Sequence, residues 1–331
     1  MSLAIVAASA SPIHRNDTAV PGRASYPHLN SIAGVSSSLP SAALLRSAGY
    51  ERPARKPRGK VHLGSEVESH ARALLDEIGS DASPICDVIH CQATLSEQIL
   101  ESVALRVAYA VARTPRRVMA VDQTGTTGVA TALALGLQAP IAGKTELMLI
   151  TAADAWCDAF PGSFLPLVEY SDAVGALVLR QADPAGDAER DRAHLLGVVC
   201  KPGIASAPFW NSTPEEVRGT LVARLLEAAE EVMANASWDA TGLDLLLGDA
   251  IGPGLAHEVA SRLGATPDAV LEPSPTHFGS AALVANIITA IQCSESLGRA
   301  LNCLIWTASA GGDAAAIALR AMPRIARRNL R

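Results

Sequence analysis

AVDQTGTTGVATALALG, residues 120–136, is the stretch on which the fold turns. It begins inside an apolar run from Arg117 to Asp122 that reads as a buried strand. The strand enters DQTGTTG, a turn of small and hydroxylated residues, and from Gly128 to Leu137 an alanine-rich helix continues. A strand that ends in such a turn and opens a helix presents its turn at the carboxyl end of a sheet. That is where α/β proteins build their sites.

Outward from this unit the chain alternates strands and helices. Leu3 to Ala8 is a short apolar strand, followed by a Pro/Ser/Gly-rich stretch to about Pro40. GSEVESHARALLDEIG (Gly64 to Gly79) reads as a helix, with Ser65 as its cap, early acidic residues and a closing glycine. Cys86 to Ala93 leans to β, and Ser96 to Arg113 reads as a helix. Glu146 to Ala152 and Ala173 to Arg180 are apolar enough for central strands. After the polar stretch QADPAGDAERDRA the plan repeats: a helix from Thr213/Pro214 to about Asn235, the strand LDLLL at 243–247, helices at about 254–263 and 279–295, then strands at Leu301–Ala308 and Ala314–Arg320. Two α/β halves follow, residues 1–182 and 193–331, although internal identity is too weak to demonstrate a repeat.

Composition narrows the function. A chain of 331 residues, 49% hydrophobic, can bury one large core or two fused medium ones. Aromatics at 4% and abundant alanine suit close layering of helices on sheets. The net charge of -6 argues against nucleic acid, whose phosphates need a concentrated basic face. No window approaches the roughly 18 apolar residues of a membrane span, and MSLAIVAASASPIHRND has too short an apolar run for a signal peptide, so the expected location is the cytoplasm. Six scattered cysteines with no CxxC and no repeated Cys/His spacing predict no metal site. One local exception to the acidic balance is the run Arg52, Arg55, Lys56, Arg58 and Lys60, which Pro53 and Pro57 keep from being a regular helix. It is a basic loop suited to phosphates or to an acidic protein.

Several of these segments, in order, resemble the 3-oxoacyl-acyl-carrier-protein synthase III branch of the thiolase superfamily. The basic loop at 52–60 with the helix at Gly64 resembles its carrier-binding loop and first helix. AVDQTGTTGVATALALG is similar to the strand and helix that present its nucleophile. LDLLLGDAIGPGLAHEVASRLG (243–264) resembles its histidine motif, THFGSAALVAN (276–286) its asparagine loop, and SAGGDAAAIALR (309–320) its C-terminal glycine turn and strand. The resemblance spans nearly the whole chain. It implies a thiolase-like fold, two pseudo-repeated halves in a five-layer αβαβα arrangement, and assembly as a homodimer or as a heterodimer with a paralogue. It also implies no permanently bound cofactor, an acyl-coenzyme A or acyl-phosphopantetheine thioester as donor, and an acyl carrier protein or coenzyme A as partner, met by Arg52, Arg55, Lys56 and Arg58.

The departures are as informative. The family uses Cys, His and Asn; at those places stand Thr126, with Thr127 the alternative because the stretch after Asp122 is one residue shorter, then Asp249 and His277. A related acyltransferase branch also has Asp and His at the last two points. His277 as base and Asp249 as its orienting acid are the residue types of an acyl-transfer triad, and Thr126 at a helix start would gain from the dipole. The oxyanion hole falls to backbone N–H groups at Thr126, Gly311 and Gly312. An aspartate where an enolate would develop disfavours decarboxylative carbon–carbon bond formation. Transfer of an acyl group, other than an aminoacyl group, to oxygen or nitrogen in secondary metabolism is therefore the expected activity. Its rivals are a starter-unit ketosynthase and a non-catalytic partner subunit of an active paralogue. Each residue also has a structural reading: Thr126 as a turn residue, Asp249 as a helix cap, His277 as a satisfied loop histidine. Cys91 and Cys157 are free thiols, but neither opens a helix after a strand, where a thiolate would be stabilised.

Overall fold

The computed structural model describes residues 2–12, 62–79, 85–94, 102–112, 115–122, 124–138, 146–156, 170–182, 191–203, 213–249, 251–252, 254–271, 277–309 and 311–323. Among the described residues there are ten strands: β1 (Leu3–Pro12), β2 (Ile85–Gln92), β3 (Arg117–Asp122), β4 (Leu147–Asp154), β5 (Ala173–Gln181), β6 (Ala193–Lys201), β7 (Leu245–Leu247), β8 (Val270–Leu271), β9 (Leu301–Ala308) and β10 (Ala314–Ala321). The described residues also form six α-helices: α1 (Leu63–Ile78), α2 (Val103–Val111), α3 (Gly128–Gln138), α4 (Pro214–Ala236), α5 (Leu255–Leu263) and α6 (Ala282–Leu297).

The strand order is β3-β2-β4-β5-β1-β6-β10-β9-β7-β8. Read inward from either end, the order and the strand directions are the same. In the first half β3, β2 and β4 are parallel while β5 and β1 run antiparallel to their neighbours. In the second half β8, β7 and β9 are parallel while β10 and β6 run antiparallel. The two halves meet at β1 and β6, paired from Leu3↔Leu195 to Ile5↔Ala193.

Three buried clusters define the layers, because alternate residues of each strand face opposite sides. Leu149 faces α1 and α2, packing with Val67, Leu74 and Val107. Its neighbours Met148 and Ile150 face the middle, with Leu133 of α3 and Ile287 of α6. On the far side Leu304 and Trp306 pack with Leu225 and Val232 of α4 and Val259 of α5. The layers are α1/α2, first half-sheet, α3/α6, second half-sheet, α4/α5: an αβαβα arrangement of two like halves.

Local chemistry explains the helix ends. Thr213 and Glu216 form a capping box at the start of α4, with Pro214 in the first turn. Ser65 does not cap α1. The chain enters that helix at His62 without a side-chain cap, and Ser65 Oγ accepts instead from Arg106 of α2. β3 is not the buried strand its composition predicts: among the described residues it lies at the rim of the sheet with no strand beyond it, and Met119 and Ala120 are exposed. β6 has no counterpart among the sequence expectations, although AHLLGVVCK alternates buried and half-buried residues as a half-covered strand does. Among the described residues no helix is long and apolar enough to cross a membrane.

Candidate active site

The two central helices are entered alike. A single 3-10 turn, Gly125–Thr127, precedes α3, and another, Gly279–Ala281, precedes α6. The turns touch each other and lie beside the carboxyl ends of β4 and β9. Thr126 and His277 thus approach the middle of the molecule from opposite halves, and Asp249 arrives from the end of β7. Gly248 permits that arrival, because a Cβ there would fall inside the ring of the fully buried Trp306.

His277 and Asp249 are brought together: Nε2 lies 3.3 Å from Asp249 Oδ2, and both side chains are completely buried. Gly279 N–H donates to His277 Nδ1 at 3.0 Å, so that nitrogen holds the lone pair and the proton sits on Nε2, facing the carboxylate. This N–H is close to the carboxylate but not aligned along a hydrogen bond. The Tyr170 ring covers the imidazole at 4.9 Å, tilted 47°. Asp249 is itself strongly held: Oδ2 accepts from the Thr307 hydroxyl and from Ala308 N–H at 3.2 Å, and Oδ1 from Asn286 Nδ2 at 3.2 Å.

Thr126 is buried, and its hydroxyl donates to the Ala308 carbonyl at 2.7 Å. The Thr127 hydroxyl donates to Thr124 O at 2.7 Å. Both candidate nucleophiles are therefore turned to backbone acceptors and not to the imidazole. Thr126 is still tied to the His–Asp pair, since the Thr307 hydroxyl lies between Asp249 Oδ2 and the Thr126 carbonyl, 3.5 Å from the latter. At the hairpin after β9, Gly312 N–H donates to Ser309 O at 2.9 Å, and Ser309 N–H to Asp313 O at 2.8 Å. Cys91 is buried, and its thiol is pushed far up by burial first and then by the charges of Asp122 and Asp154, so it does not supply a thiolate here. Cys157, Arg52, Arg55, Lys56 and Arg58 lie outside the described residues. Among the described residues no group of three His, Cys, Asp or Glu side chains could hold a metal ion.

Comparison with solved structures places the fold. The chain matches ChlB3, an acyltransferase, with TM-score 0.70 at 13% identity over 98% of this chain and 99% of that one. It matches the 3-oxoacyl-(acyl carrier protein) synthase III of Pseudomonas aeruginosa PAO1 with TM-score 0.67 at 17% identity over 98% and 99%. The fold is thiolase-like. The priming β-ketosynthase of the R1128 polyketide pathway shares this thiolase-like fold, with TM-score 0.68 at 15% identity over 98% and 97%. No protein-family model matches the sequence, and neither does any curated protein. At these identities the likeness is one of fold, and the thiolase-like core alone is common ground.

The sequence did not point to Asn286, Thr307 or Asp154, a fully buried carboxylate at the end of β4. Asn286 and Thr307 reach Asp249 only through the packing of α6 and β9. Asp154 did leave a signal, an acid closing an apolar strand.

Proposed function

We propose that this chain is an acyltransferase that moves an acyl group from a coenzyme A or carrier-protein thioester to an oxygen or nitrogen acceptor, with His277 as base and Asp249 as its partner. The observation that supports it is the buried 3.3 Å pair. Holding a carboxylate and an imidazole together away from water is costly, and a purely structural core does better with apolar residues of the same size. Asp249 stabilises the imidazolium that forms when Nδ1 takes a proton, after that nitrogen gives up the Gly279 N–H. The acceptor loses its proton to His277 as it attacks the thioester carbonyl; the C–O or C–N bond forms, the C–S bond breaks, and the imidazolium returns the proton to sulfur. The negative charge of Asp249 disfavours the enolate of a chain-extending reaction. For the oxyanion we assign the N–H groups of Thr126 and Gly311, Gly312 N–H being given to Ser309. That solved structures sharing the fold carry the names acyltransferase and acyl-carrier-protein synthase supports the donor class. The same reading includes a homodimer formed through the rim of the first half-sheet, where Met119 of β3 is exposed and α2 presents Leu105 and Tyr109, the latter 94% exposed.

One observation favours the rival reading of a non-catalytic partner subunit. Thr126 Oγ and His277 Nδ1 are both satisfied by backbone groups. Two variants separate the readings. His277→Ala lowers transfer by at least about 10²-fold whether or not a covalent intermediate forms. Thr126→Ala matches that loss, and abolishes any acyl adduct seen by intact-protein mass spectrometry, only if the threonine is acylated. Full activity of both variants in the reconstituted pathway overturns the catalytic reading and leaves the partner subunit.

A further inference from the structure

Beneath the His277–Asp249 pair lies a second buried polar group that the proposed reaction does not use. Asp154 ends β4 with none of its surface exposed. Its Oδ1 accepts from Ala93 N–H at 2.7 Å, Thr94 N–H at 2.8 Å and the Thr94 hydroxyl at 3.1 Å; its Oδ2 accepts from Ser280 N–H at 2.6 Å. The carboxylate therefore ties the end of β2 to the turn Gly279–Ala281 that follows His277. Gly279 is shaped to this contact. It has φ +56, a conformation that favours glycine, and a Cβ on it would collide with Asp154 Oδ2 and with Trp156. The N–H that Gly279 gives to His277 Nδ1 is next in the chain to the N–H that Ser280 gives to Asp154.

The network continues away from the site through β2 and β4. Gln92 Nε2 donates to the Thr94 carbonyl, Gln92 Oε1 lies 3.1 Å from His90 Nε2, and His90 Nδ1 lies 3.0 Å from Thr151 Oγ. The Thr94 hydroxyl also accepts from Ala155 N–H at 3.0 Å. Burial raises the Asp154 pKa above the usual carboxylate value, and the N–H donors of Ser280, Thr94 and Ala93 lower it. A carboxyl group so deep is worth its desolvation only when its oxygens are paired, and the four donors on Asp154 fix it in one geometry.

We infer that Asp154 is a positioning residue: through Ser280 N–H it sets the turn whose Gly279 N–H fixes the tautomer and aim of His277. The inference rests on the reading of His277 as the base, and it is tested first on the imidazole itself. In the native chain, ¹⁵N–¹H correlation spectra of His277 show one tautomer, protonated on Nε2. Asp154→Asn keeps the shape of the side chain but replaces one acceptor by a donor. With the amide oxygen toward Ala93 and Thr94, its NH2 opposes Ser280 N–H, and the His277 nitrogens shift toward a mixture of tautomers. Transfer falls on the order of ten- to a hundredfold in kcat with KM little changed, since no substrate atom is touched. Thr94→Val removes one donor to Asp154, leaves the Ser280 contact and shifts the same signals in the same direction by less. It decides the matter if Asp154→Asn does not fold. Folded variants with His277 signals identical to the native chain overturn the inference. Shifted signals in a protein that transfers no acyl group leave the inference standing and overturn the proposed reaction instead.

Discussion

Replacing Asp249 by asparagine changes one atom at the centre of the site, and its consequences can be worked from the contacts. Oδ2 is the crowded oxygen, meeting the Thr307 hydroxyl, Ala308 N–H and His277 Nε2–H, while among the described residues Oδ1 meets Asn286 Nδ2 alone. The asparagine therefore keeps its carbonyl at the Oδ2 place, and its new NH2 opposes the Asn286 amide until that side chain turns over. Charge-assisted bonds become neutral ones, which costs about 1–3 kcal/mol of stability. The chemical loss is larger. Without the carboxylate the imidazolium has no counter-charge, and transfer falls by roughly 10²–10⁴-fold, or about 3–5 kcal/mol of barrier at 1.36 kcal/mol per tenfold. Urea unfolding measures the first number, and single-turnover transfer from an acyl thioester measures the second. A variant that loses about 1–3 kcal/mol of stability but transfers at the native rate refutes the reasoning, because Asp249 would then be a structural acceptor and nothing more.

Two further outcomes follow from residues outside the His277–Asp249 pair. His90 is buried and held neutral, its pKa lowered to about 4 by desolvation against a smaller opposing effect of the Gln92 hydrogen bond. Between about pH 6.5 and that value the unfolded chain binds a proton the folded chain does not, so stability falls as pH falls through this window, by up to about 3 kcal/mol. Thermal melts of His90→Gln have a shallower pH dependence there, and equal slopes in both proteins count against a neutral buried His90. For the dimer, Tyr109→Asp combined with Leu105→Asp charges an exposed apolar face of α2 and shifts light scattering from dimer to monomer. A native chain that is monomeric at micromolar concentration removes this interface.

How much of this could be read in the sequence depends on what each feature asks of a residue. β9 was legible to its ends, Leu301 and Ala308, because eight apolar-rich residues stand between a glycine-containing turn and a serine-glycine turn. The repeat was legible as a plan of elements but not in residue identity, although its register is strict: one constant offset carries Gly125–Thr127 onto Gly279–Ala281, the start of α3 onto that of α6, and Leu147–Asp154 onto Leu301–Ala308. Strands and helices of a layered core ask only for apolar residues at the right period, so LMLITAAD and LNCLIWTA build matching strands from almost unrelated residues. Sites ask for chemistry, and Thr126, Asp249 and His277 stood out because they occupy the family's Cys, His and Asn places with residue types of a triad. The supporting residues are harder, because Ser280, Ala93 and Gly279 act through backbone N–H groups that every residue but proline possesses. Asp154 was the legible exception. Although the resemblance drew attention only to Asp249, which follows the strand LDLLL, the pattern of an acid at the end of an apolar strand covers equally the acid that closes LMLITAAD. Applied to both halves, it places one carboxylate against the His277 imidazole and the other against the turn that carries it, from opposite sides of the central helices.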